Sequence, residues 1–203
     1  MKIHQGLITA IALSSFAYPA FAENPDTQEN YLGEYVKVTA FLGAKLDIET
    51  DDGTHNDYRD DSARFSQAIA LNWAYAKNAE GELLFSNSQR TGPVSEQYIQ
   101  YLHVGGRILF RNSTPFSTSI ALGAGATYIN PQGNEYDDDF ALSGNMALGA
   151  RYQLSEQFAL RSDLRIYGTL LRDGHNESMC SATDCDKGYF LETELLAGVE
   201  YTF

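Results

Sequence analysis

From Val36 onward the sequence alternates residue by residue. Val36, Val38, Ala40, Leu42, Ala44, Leu46 and Ile48 occupy the even positions, with Lys37, Thr39, Phe41, Gly43, Lys45, Asp47 and Glu49 between them. A period of two is the mark of a strand whose two faces meet different surroundings. Held for about fourteen residues, it is roughly twice the usual soluble strand and long enough to cross a bilayer at a tilt.

The pattern returns seven times. Phe65, Ile69, Leu71, Trp73 and Tyr75 oppose Arg64, Ser66, Ala68 and Asn72, and a weaker run sets Leu83 and Phe85 against Glu82, Ser86, Ser88 and Arg90. Leu102, Val104, Ile108 and Phe110 then face away from Tyr101, His103, Gly105 and Arg107, and after Pro115 the run from Phe116 to Tyr128 repeats the alternation. Further runs cover 140–152, 158–170 and 189–203. Short turns at 77–80, 111–115 and 154–157 alternate with longer polar stretches at 50–62, 91–97, 130–139 and 172–188. An up-and-down meander with these connections places every tight turn at one end and every long loop at the other, as in bacterial outer-membrane barrels. The expected fold is all-β: an eight-stranded antiparallel up-and-down transmembrane β-barrel over 34–203.

A soluble barrel that carries a ligand also has one apolar face, turned inward, so charge placement must decide which face is outside. Every strand charge falls on the other face: Lys37, Lys45, Arg64, Arg90, Arg107, Arg151, Arg161 and Arg165 against Asp47, Glu49, Glu82, Asp163, Glu192, Glu194 and Glu200. That face is nearly neutral and also holds Gly43, Gly105, Gly123, Gly125, Gly149 and Gly198. Water solvates each ion on a soluble surface, whereas a narrow closed lumen needs both balance and room. Aromatic residues such as Trp73, Tyr75, Tyr128, Tyr152, Phe158, Tyr201 and Phe203 end the apolar runs, as interfacial girdles do. The expected lumen network comprises Glu82, Arg107, Arg151, Arg161, Asp163, Arg165, Glu192 and Glu194: with Arg161, Asp163 and Arg165 stacked on one strand and Glu192 and Glu194 on its neighbour, ion pairs are expected to cross the lumen and fill the barrel.

Residues 1–22 read as a signal peptide: a basic Lys2, a short apolar run from Leu7 to Leu13, and Ala20-Phe21-Ala22 as the cleavage signal. Residues 23–33 then form a short periplasmic segment. In an exported chain Cys180 and Cys185 are expected as a disulfide closing one loop; a metal reading has only His175 nearby and too few ligands. The net charge of -13 excludes a nucleic-acid binder, and much of the acidity falls in the long loops. No metal or cofactor is expected.

The alternating terminal strand, ending in Tyr201-Thr202-Phe203, resembles the C-terminal signal of the small eight-stranded outer-membrane barrels of Gram-negative bacteria, a group that includes the outer membrane protein A transmembrane domain, outer membrane protein X and Ail. The segment from Leu160 to Gly168, followed by the loop with paired cysteines, is similar to a proteobacterial subgroup known only as outer-membrane β-barrel domain proteins. The resemblance covers 34–203. It implies a cell outer-membrane location, contact with membrane lipid and lipopolysaccharide, and recognition of Tyr201 and Phe203 by the barrel assembly machinery. The expected function is a structural or surface-interaction barrel with an ion-pair plug and acidic extracellular loops that meet a surface or host partner. A porin-like narrow gated pore is the alternative. A lipid-modifying enzyme is the second: it would need His175 with Ser178, or His55 with nearby acids, as its machinery, while His103 points into the lumen as a filler.

Overall fold

The computed structural model describes residues 34–47, 63–91, 96–113, 115–131, 139–170 and 189–203. The described residues form eight strands: β1 (Val36–Asp47), β2 (Arg64–Ala76), β3 (Ala79–Thr91), β4 (Glu96–Ser113), β5 (Phe116–Pro131), β6 (Asp139–Gln153), β7 (Phe158–Leu170) and β8 (Tyr189–Thr202). Each pairs antiparallel with the next, and β8 pairs with β1 to close the barrel. The hydrogen-bonded partners lead from Lys37 through Asn72, Glu82, Gly105, Gly123, Asn145, Tyr167 and Glu192 to Asp47, ten residues further along β1. That stagger tilts the strands and sets a diameter that side chains can fill.

Closure at the turn end is local. Lys77 and Asn78 form the first turn, and the Leu109 amide donates to the Asn78 carbonyl at 2.8 Å. The Phe203 amide donates to the Val36 carbonyl at 2.9 Å and ties the last strand to the first.

The distribution of side chains is the inverse of a soluble protein's. The largest fully buried ones include Arg107, Arg165, Tyr101, Tyr167, Lys45, His103 and Glu80, while Leu122 is 62% exposed and Phe140 69%. Apolar side chains project outward along all eight strands, far more than a soluble monomer shows to water, and only hydrocarbon accommodates such a belt. At the turn end it is bounded by aromatics, among them Trp73, Phe158 and Tyr201; Trp73 covers Gly81, where a Cβ would collide with its ring.

One expectation needs correction. The first turn is shorter than the sequence suggests, so β3 starts at Ala79 and Glu80 is buried in the lumen instead of lying in a turn. The inner face also carries an apolar cluster, in which Leu84, Ile99, Ile129 and Leu196 join Phe41, Tyr101 and Tyr167. Residues 1–33, Ile48 and Glu49, and the cysteine-bearing 171–188 lie outside the described residues, and with them His55, His175, Ser178, Cys180 and Cys185.

Candidate functional site

Inward positions on β2, β3, β4 and β7 converge on one layer of charge. Glu82 Oε2 accepts hydrogen bonds from Arg107 Nε at 3.0 Å and from Arg161 Nη2 at 2.6 Å, and Glu82 Oε1 accepts from Arg165 Nη2 at 2.8 Å. Asp163 Oδ2 accepts from the same three guanidiniums, at 2.7 Å from Arg107 and Arg165 and 2.9 Å from Arg161. Asn72 bridges the set, accepting from Arg161 at 2.8 Å and donating to Glu82 at 3.2 Å. Three cations thus share two carboxylates in a space from which all five charged side chains exclude water almost completely. Gly149 makes this possible, because a Cβ there would strike Arg107, Asp163 and Ser119.

Two further layers flank this one. Toward the turns, Lys37 bonds Glu80, and Arg151 lies 2.8 Å from Glu200. A narrow recess at this end is lined by Glu80, Arg107, Ser117, Arg151 and Glu200. Toward the loops, Glu192 pairs with Arg64 at 2.7 Å and accepts from Tyr101, while Glu194 accepts from Ser86 at 2.8 Å and Tyr167 at 2.5 Å and lies 3.8 Å from Lys45. Lys45 also sits 4.2 Å from the Tyr101 ring centroid, and Tyr101 stacks on Tyr167.

All eight residues expected in the lumen are therefore on its wall. Arg161 and Arg165 meet Glu82, from across the barrel, and Asp163 on their own strand; Glu192 and Glu194 belong to the loop-side layer. Among the described residues, Lys37, Lys45, Arg64, Glu80 and Glu200 complete the set.

A second constellation lies beside Arg165. Arg165 Nη1 donates to Asn145 Oδ1 at 3.2 Å, Asn145 Nδ2 lies 2.7 Å from His103 Nδ1, and His103 Nε2 lies 2.7 Å from Ser143 Oγ. These residue types at these distances look like a nucleophile, base and orienting group. The hydrogens run the wrong way. A guanidinium only donates, so the Asn145 carboxamide turns its oxygen to Arg165 and its nitrogen to the ring; Nδ1 must then be the bare nitrogen, and Nε2 carries the proton toward Ser143. A base for Ser143 would need Nε2 free. Nitrogen NMR of the protein in lipid should show His103 protonated at Nε2 and bare at Nδ1, with that preference lost in Arg165→Met. A wild-type ring protonated at Nδ1 would contradict the direction of the chain.

No protein-family model matches the sequence, and no curated protein sequence matches it. Solved structures do match in fold. Neisserial surface protein A is 13% identical with a TM-score of 0.62, over 83% of this chain and 97% of that one. The attachment invasion locus protein Ail of Yersinia pestis is 14% identical with a TM-score of 0.52, over 83% and 98%. The N-terminal β-barrel domain of OprF from Pseudomonas aeruginosa is 14% identical with a TM-score of 0.50, over 85% and 99%. At such identities the likeness is one of architecture, and the fold of this chain is that of the small outer-membrane β-barrels.

Proposed function

We propose that the chain is an outer-membrane barrel that is structural or meets surface partners through its loops, with a lumen plugged by ion pairs and no catalytic role. The observation that carries this reading is the Glu82–Asp163 layer with its three guanidiniums, which occupies the lumen between two other paired layers. An eight-stranded barrel is just wide enough for side chains to fill. The direction of the Ser143–His103–Asn145 hydrogen bonds supports the absence of catalysis.

In this reading residues 1–22 direct export, 23–33 lie in the periplasm, Tyr201 and Phe203 serve the assembly machinery, and a Cys180–Cys185 disulfide closes the last loop. The turn end faces the periplasm, and the acidic loops face outward, where lipopolysaccharide and host or surface partners are met.

Planar-bilayer recording tests the plug. The wild-type protein should show no steady single-channel openings; steady openings abolished by Arg161→Ala or Glu192→Ala would replace this reading with a gated pore.

A further inference from the structure

The outer surface of the barrel differs from side to side. On β1 and on β5 to β8 the outward side chains are apolar or small, apart from Thr118, Asn130, Ser162 and Thr193. On β2, β3 and β4 the outward positions toward the loop end carry amides: Gln67, Asn87, Gln89 and Gln100. Three of these form a row, Gln67 standing opposite Asn87 and Asn87 opposite Gln100, and the row runs on into Tyr128. Asn87 Oδ1, itself tucked beneath its neighbours, has no hydrogen-bond partner among the described residues.

The apolar belt is accordingly a wedge. On β3 only Leu83 and Phe85 project outward between Gly81, which lies under Trp73, and the amides, whereas on β6 the belt extends from Tyr152 through Leu148, Met146 and Leu142 to Phe140. The turn-end aromatics Tyr75, Phe110, Tyr152 and Phe158 bound it on both sides, so tilting the barrel cannot hide the difference. An amide left in hydrocarbon without a partner is strongly disfavoured.

We infer that, beside β2 to β4, the polar headgroups of the outer leaflet and their water descend onto the Gln67–Asn87–Gln100 row, thinning the membrane on that side of the barrel. The inference rests on the membrane placement proposed above. A second copy of the chain fits less well: Asn87 and Gln100 are recessed among Phe65, Phe85 and Leu102, which stand out by 61%, 39% and 54%, and a rigid barrel wall cannot reach between them as headgroups and water do. A short belt matches a thinner hydrocarbon layer.

The test is insertion into vesicles of saturated phosphatidylcholines of increasing chain length. Relative to wild type, the variant Gln67→Leu/Asn87→Leu/Gln100→Leu should fold best in longer-chain lipid, while Ala126→Leu on the tall side leaves the optimum in place. Nitroxide labels at Asn87→Cys and Leu142→Cys give an independent readout: a water-soluble relaxant should reach the first and not the second, although Leu142 lies nearer the loop end of its strand. An unchanged chain-length optimum together with equal shielding of both labels overturns the inference. Spin–spin broadening at position 87 also overturns it and assigns the row to a second copy. Failure of the wild type to insert into any of the vesicles would instead remove the membrane placement itself.

Discussion

Glu82→Ala should destabilise the barrel by about 3–5 kcal/mol, because it leaves Arg107, Arg161 and Arg165 buried around Asp163, with Glu200, 3.7 Å from Arg161, as the one other carboxylate beside them among the described residues. The cost comes from stranding charge, not from losing one attractive pair. Glu82→Gln, which keeps the volume and one acceptor, should therefore fall between alanine and wild type. Glu82→Ala/Arg161→Met, which removes a charge of each sign, should be more stable than Glu82→Ala alone even though it deletes more hydrogen bonds. Urea unfolding from lipid vesicles measures all three. Trp73 is the only tryptophan and lies on the outer surface over Gly81, so its fluorescence reports departure from lipid. A near-wild-type midpoint for Glu82→Ala would mean that water already solvates this layer, and the plug would go with it.

What was legible beforehand follows from what a period of two can encode. Alternation fixes the strands, and the confinement of charge to one face fixes inside against outside, so the meander and its lumen wall were readable from residues such as Val36 to Leu46 alone. Partner choice was not. A narrow barrel implies that the Arg161–Arg165 ladder pairs across the lumen, but alternation does not say with which carboxylate: Glu192 and Glu194 are its register neighbours, whereas Glu82 arrives from the far wall. Glu80 was hidden because nothing in Lys77-Asn78-Ala79 announces that the turn needs only its first two residues. The His103 chain was hidden for another reason. His103 on β4 and Asn145 on β6 are separated by a whole strand, and they touch because β5 places Gly123 and Gly125 between them, where a Cβ would hit Asn145 Nδ2 or His103 itself. The amide row leaves the alternation intact, because its members occupy outward positions among apolar neighbours and break the pattern only by residue type.

Leu164→Arg should cost about 2–4 kcal/mol and reduce insertion yield, because position 164 is the midpoint of β7 and faces outward between Leu148 and Leu195. The same charge at Phe158, where β7 begins beside the aromatic Tyr201, should cost about 0–1 kcal/mol, since an arginine there extends into the interface. The contrast between the two positions is the informative quantity. In water both sites would be surface positions, 43% and 45% exposed, and arginine would be tolerated equally at each. A steep dependence on depth arises only where hydrocarbon surrounds the middle of the strand and headgroups surround its end. Equal, small effects at 164 and 158 in vesicle unfolding would therefore deny the barrel its membrane, and the inward charges would then need another reason to be packed against one another.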